Sequence, residues 1–391
     1  MTSERAESLE RAAVRAGFDR AGVAALDPAA TGEDFVEWLS RGDQAGMDYM
    51  ARRVETRLDP RALLPGARSA VSVALRYWPL VADREDNSDT GDLWPRVARY
   101  ARGEDYHDVM SKRLENLERE ITALFPGTRT RRYVDTGPIL ERDLAAKAGL
   151  GTFGKNCNLL DSEMGSYFLL GEVLTTLELE SGAPIGDLCG NCTRCLDACP
   201  TGALTGPYRL DSRLCISYWT IEHRGSIPEA MRPMMEDWVF GCDICQEECP
   251  VNSALPAVEH AEFELAAARR NLSLTDLLCL DRSEYVERFR RSPMKRSKLE
   301  GLKRNAALAM GNRRDPRYFD ALERALADAD GVVRGQAAWS LARLDLTDNA
   351  ERGARRTALL TAYRSEADAS VRDEIKAALN RVEESGSRSH A

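Results

Sequence analysis

Residues 189–200 read Cys189-Gly-Asn-Cys192-Thr-Arg-Cys195-Leu-Asp-Ala-Cys199-Pro200, and after an isolated Cys215 the chain continues to Cys242-Asp-Ile-Cys245-Gln-Glu-Glu-Cys249-Pro250. Three thiolates at this spacing wrap three corners of a 4Fe–4S cubane, while the fourth cysteine of such a run turns away to a neighbouring cluster. On that logic Cys189, Cys192 and Cys195 share a first cluster with Cys249, and Cys199, Cys215, Cys242 and Cys245 hold a second. The eight thiols divide into two sets of four with none left over. Structural zinc also uses paired cysteines, but it does not need a four-cysteine run closed by proline. Cys157 and Cys279 stand apart and read as ordinary thiols.

Outward from this module the texture changes on both sides. Residues 1–178 alternate helical stretches (3–16, 34–41, 106–124) with strand candidates at 69–77 and 130–134. The acidic stretch 82–92 reads as a surface loop. Residues 179–270 form the ferredoxin-like, metal-organised module. From 271 to 391 only helices are expected, at 302–310, 321–327, 332–344, 355–363 and 371–382, with a frayed tail from 383. The resemblance of AALAMGN to AAWSLARL suggests HEAT-like repeats. The expected fold is therefore α+β and multidomain: an α/β first domain, a two-cluster domain and a helical C-terminal domain.

Bulk composition narrows the class. The chain has 391 residues, of which 43% are hydrophobic and 30% charged, as in ordinary globular proteins. The first residues carry no apolar signal core and no twin arginine, and no run approaches a membrane span. A cytoplasmic, membrane-free monomer is expected, and ten cysteines in a reducing compartment point to metal or redox work. A net charge of −9 argues against general nucleic-acid binding. Gly149-Leu-Gly-Thr-Phe-Gly154 satisfies the dinucleotide fingerprint, but a helical segment rather than a strand precedes it, so no nicotinamide site is expected.

Several further stretches carry a resemblance. They are Arg57–Pro60 (RLDP), Tyr100–His107 (YARGEDYH), Tyr133–Pro138 (YVDTGP) with Glu141-Arg142, Gly149–Asn156, Gly165–Glu172, Cys215–Tyr218, Ile221–Gly225 and Ser292–Asn312. Together, in this order, they resemble the epoxyqueuosine reductase family from about residue 50 to 345. The resemblance implies cobalamin, bound without a histidine ligand, beside the two 4Fe–4S clusters. It also implies a tRNA substrate carrying epoxyqueuosine at the wobble position and a low-potential electron donor whose identity the sequence does not give. Two departures, the lack of a Trp within 151–154 and Cys157 in place of a Thr, bear on the wall near the corrinoid.

Removing an epoxide oxygen to leave an alkene takes two electrons and two protons and releases water. The cofactor carries the electron chemistry, and a positioned acid contributes ~10²–10⁴-fold. By resemblance that acid is Asp135, which works as an acid at neutral pH if burial or a nearby negative charge raises its pKa. The resemblance also puts Arg57 near the corrinoid with Asp135. Ser217 and the Cys242-Asp243 backbone, beside cluster ligands, would face it if the nearer cluster is the one held by Cys199, Cys215, Cys242 and Cys245. His107 and Lys155 are further pocket candidates. A basic run from Arg288 to Arg317 reverses the local charge and reads as a phosphate footprint. Within it, Lys295, Arg296, Lys298, Lys303 and Arg304 are the expected tRNA contacts. Competing readings are a reductive dehalogenase-like corrinoid enzyme and a non-catalytic electron-transfer protein.

Overall fold

The structure, a computed structural model, describes residues 2–80, 95–266, 269 and 272–388. The expected loop at 82–92 lies outside the described residues. The chain packs as two compact units, each discontinuous in sequence: 1–87 with 99–215 and 243–264, and 88–98 with 216–242 and 265–391.

The first unit is built on a four-stranded sheet. Its strands are β1 (Arg20–Ala25), β2 (Ser69–Arg76), β3 (Thr130–Tyr133) and β4 (Phe168–Thr175), in the order β1-β2-β4-β3. All three pairings are antiparallel. This corrects the α/β expectation for the first domain, because antiparallel neighbours need no βαβ crossovers. Side chains alternate across a strand, and in β2 both sets are buried. Val71, Val73 and Leu75 face helices α1 (Thr2–Arg15) and α2 (Tyr106–Leu124) through Leu9, Ala12, Leu114 and Leu117. Ala70 and Ala74 face the short helix α3 (Glu141–Lys147) through Leu144 and Ala145. The 149–154 glycine motif follows α3 and enters a two-residue strand, Thr152–Phe153, so the absence of a preceding strand is borne out.

The second unit is mainly helical: α4 (Leu274–Cys279), α5 (Arg282–Phe289), α6 (Lys298–Arg313), α7 (Phe319–Ala325), α8 (Gly331–Leu341), α9 (Asn349–Ser365) and α10 (Ala369–Arg388). Helix α10 carries on through the tail expected to fray, as far as Arg388. Helix α6 packs on α8, and α8 on α10. The close approach of α6 to α8 needs Gly311, where a Cβ would meet Ser340 Oγ at 2.6 Å and its Cα at 2.8 Å. The 216–242 segment adds a π-helical turn, Tyr218–Glu222, and a strand, Trp238–Phe240, paired in parallel with Arg96–Val97.

Candidate functional site

Asp135 sits just beyond β3 in the left-handed region, with φ of 52°. The turn around it is tight, because the Thr136 amide donates to Val134 O and the Tyr133 ring covers Gly137 so closely that any Cβ there would collide with it. The Asp135 amide donates to Glu141 Oε1 at 2.6 Å, tying the turn to the start of α3. Its carboxylate is 57% exposed, so the protein does not supply the burial expected of it. What surrounds it instead is a set of partners. Tyr106 donates its hydroxyl to Asp135 Oδ2 at 2.5 Å, and His107 Nε2 lies 3.3 Å from the same oxygen. His107 Nδ1 meets Asp105 Oδ1 at 2.8 Å, and Asp105 is 2% exposed.

These groups shift one another. Burial works against a charged His107, but its hydrogen bonds to Asp105 and Asp135 prevail and push it up to about 9. Burial and the neighbouring Asp135 charge push the Glu141 carboxyl up to about 8. Glu172, fully buried in β4 and hydrogen-bonded to Ser72 at 2.6 Å, is raised well above the carboxylate range by burial. Glu172 stands as a lone acid in the apolar stretch 168–177, a signal visible in the sequence, whereas Glu141, followed by Arg142 and Asp143, carries no such mark.

Arg57 is buried, at 9% exposed, and reaches Gly137 O at 3.5 Å and Tyr49 O at 3.4 Å. Its Nε has no hydrogen-bond partner. A buried guanidinium with an orphaned donor beside the Asp135 turn fits an incoming acceptor-rich group such as a corrinoid side chain. Lys155 departs from its expected role. Its amine donates to Gly190 O at 2.7 Å and Cys192 O at 2.9 Å, and its amide to Cys189 Sγ at 3.4 Å. It therefore clamps the first cysteine loop. The Asp243 side chain is buried and takes the Arg99 amide at 2.7 Å, which leaves only its backbone for the role expected beside Cys242.

Thiols of the first cysteine set lie within electrostatic reach of one another. The Cys195 thiol feels Cys249 and Cys189, and the Cys249 thiol feels Cys189 and Cys192; in both, burial is the larger influence and raises the pKa. With the Lys155 amide aimed at Cys189 sulfur, these residues fit a thiolate-ligated cluster. Hydrogen bonds from Thr201 and from the amides of Leu204, Thr201 and Ala203 outweigh burial and lower the Cys199 thiol. Cys157, read as an ordinary thiol, lies within electrostatic reach of both Cys195 and Cys215.

The basic run divides sharply. Arg304 is 1% exposed, donating to Trp219 O at 2.6 Å and to His223 O and Gly225 O at 3.0 and 2.8 Å. Lys303 pairs with Asp328 at 2.8 Å, and Arg296 grips Glu222 with two donors at 3.0 and 2.9 Å. Arg304 is thus corrected from a tRNA contact to an internal strut, and Lys303 is largely covered. Lys295, Arg296 and Lys298 are exposed, as are Arg290 and Arg291. Ser217 immediately precedes the π-helical turn that Arg304 supports.

Comparison with known proteins now decides the family. Residues 57–136 match the family described as epoxyqueuosine reductase QueG, 188–252 a 4Fe–4S double cluster binding domain, and 302–328 a PBS lyase HEAT-like repeat. Epoxyqueuosine reductases from Leadbetterella byssophila and Xanthomonas campestris are 40% and 37% identical, over 75% and 87% of this chain and 95% and 96% of theirs. The chain belongs to the epoxyqueuosine reductase family. It is an oxidoreductase with a two-cluster iron–sulfur domain. A crystallised epoxyqueuosine reductase with an epoxyqueuosine-modified tRNA(Tyr) stem loop superposes with a TM-score of 0.89 at 31% identity, covering 98% of this chain and all of that one. The Bacillus subtilis epoxyqueuosine reductase, with its catalytic aspartate loop swung out of the active site, gives 0.88 at 30% identity over 97% of this chain and all of that one. Among the described residues no helix is long and apolar enough to cross a membrane.

Proposed function

We propose that this chain reduces epoxyqueuosine to queuosine at the wobble position of tRNA, using cobalamin and two 4Fe–4S clusters, with Asp135 delivering protons. The observation that carries the reading is the Asp135 turn, held by Glu141 and ringed by Tyr106, His107 and Arg57, in a chain whose relatives are epoxyqueuosine reductases. Cys189, Cys192, Cys195 and Cys249 would hold the first cluster, and Cys199, Cys215, Cys242 and Cys245 the second. Arg57, Ser217 and the Cys242-Asp243 backbone would hold the corrinoid. When bound, these groups supply two electrons drawn from a low-potential one-electron donor. The protein's own residues supply the rest. Arg57 braces the turn by its contact with Gly137 O, and Glu141 fixes the Asp135 amide. Tyr106 orients the Asp135 carboxylate toward a proton acceptor.

The test is nucleoside analysis of tRNA from cells lacking the protein. Epoxyqueuosine should accumulate and queuosine disappear, and the wild-type gene should reverse both changes. Asp135→Asn should not reverse them, although the purified variant keeps its iron and corrinoid. Queuosine at normal levels in the deletion strain overturns the reading.

A further inference from the structure

The reaction consumes two protons, and Asp135 carries at most one. The Tyr106 hydroxyl donates to Asp135 Oδ2 at 2.5 Å, and His107 Nε2, a donor when the ring is protonated, lies 3.3 Å from the same oxygen. Behind His107 stands Asp105, which accepts both the ring Nδ1–H at 2.8 Å and the His107 backbone N–H at 3.2 Å. Asp105 is the N-cap of α2, so its position is fixed by the helix start as well as by burial. The ring is held flat against Tyr106, with centroids 4.1 Å apart and planes 27° off parallel. An imidazole between two carboxylates donates on both sides when protonated, and after losing its Nε2 proton it keeps the Nδ1–H tautomer that Asp105 demands.

We propose that His107, oriented by the buried carboxylate of Asp105, is the proton store of this site and reloads Asp135, so that both protons of each turnover pass through the Asp135 carboxyl. This rests on the epoxide-reducing function proposed above. In the first transfer the Asp135 carboxyl protonates the epoxide oxygen as one ring C–O bond breaks, and His107 Nε2 returns a proton to Asp135 Oδ2. In the second, Asp135 protonates the resulting hydroxyl as the other C–O bond breaks, leaving an alkene and water. His107 reloads Asp135 again after the second transfer, and the ring, with its side chain 36% exposed, recovers a proton from solvent after each reload. The two electrons come from the low-potential donor. Burial and the positive end of α2 both oppose a charged ring at this position, yet Asp105 and Asp135 raise it to about 9. Glu141 and Tyr106 are the other titratable groups facing the pair.

His107 is a positioning residue in this scheme, so its test needs more than activity. The chain has four histidines, and comparison of the holoenzyme with His107→Gln assigns the His107 resonance in an NMR titration. Wild type should titrate near 9, and Asp105→Asn, which retains the helix cap, should bring it down by about one unit or more. Single-turnover rates of prereduced holoenzyme on an epoxyqueuosine stem loop should fall as pH rises through the same value. That limb should move downward with Asp105→Asn. His107→Gln should slow the reaction on the order of 10²-fold with stem-loop affinity unchanged. A His107→Gln enzyme as fast as wild type at every pH, or a His107 titration unmoved by Asp105→Asn, overturns the proposal. Wild type that titrates as expected but converts no epoxide overturns the functional reading instead.

Discussion

At the residue scale, the Asp135 surroundings tie stability to pH. The folded protein holds a proton on Glu141 up to about 8, against an ordinary carboxyl value of 4.5, and on His107 up to about 9, against 6.5. Between each pair of values the folded state binds more protons than the unfolded chain, so stability falls as pH rises. The Glu141 contribution is complete below 4.5 and gone above about 8; the His107 contribution is complete below 6.5 and gone above about 9. Melting temperature, measured anaerobically on the loaded protein, should therefore decline from pH 6.5 to 9. Glu141→Gln should flatten the lower part of that decline and His107→Gln the upper part. The distinctive YVDTGP singles out Asp135 in the sequence, but its exposure is not visible there. Burial depends on what the rest of the chain brings to a turn: Glu141 and His107, six and 28 positions away, come against the Asp135 turn without covering its carboxylate.

At the element scale, helix α6 and the π-helical turn at Tyr218–Glu222 act as one piece. A π turn and its exit leave backbone carbonyls without their usual partners. Arg304 and Asn305 provide donors: Arg304 to Trp219, His223 and Gly225, Asn305 to Thr220 O at 2.9 Å and Val239 O at 2.8 Å. Charge counting along the sequence could not see this, since a buried strut and a phosphate contact are the same letter. The apolar period of 302–310 marked the helix, but the burial of Arg304 within it appears only in the structure. Arg304→Ala should cost ~3 kcal/mol and Asn305→Ala ~1–2 kcal/mol, because buried carbonyls lose their partners. Denaturant unfolding checks both, with Lys298→Ala expected to match wild type. The two-cluster module was legible because cubane geometry dictates cysteine spacing directly, and the crossed ligation proposed for it is open to test. Cys249→Ala should accordingly lower iron content and alter the spectrum of the cluster held by Cys189, Cys192 and Cys195, whereas a variant with full iron and unchanged spectra refutes the crossing.

At the scale of the whole molecule, an acidic chain of net charge −9 must bind a polyanion if it acts on tRNA. Long-range attraction cannot provide that, so a local basic surface has to. With Arg304 internal and Lys303 paired to Asp328, five exposed cations of the run lie between the end of α5 and the start of α6, Arg290, Arg291, Lys295, Arg296 and Lys298, while Arg314 and Arg317 beyond α6 face Asp345 and Asp315. Each phosphate contact adds ~0.7–0.9 to the slope of log affinity against log salt. Replacing Arg290 and Lys298 together by Ala should weaken tRNA binding and flatten its salt slope by roughly 1.4–1.8 if each meets one phosphate. Apparent KM for tRNA should rise while turnover at saturating tRNA holds, because neither residue belongs to the Asp135 group. The Arg304→Ala variant supplies the contrast: its binding loss should accompany unfolding and leave the salt slope of the folded fraction unchanged. If Arg290 and Lys298 prove silent while Arg304→Ala flattens the slope of fully folded protein, the phosphate contacts lie elsewhere and the assignment of this face fails.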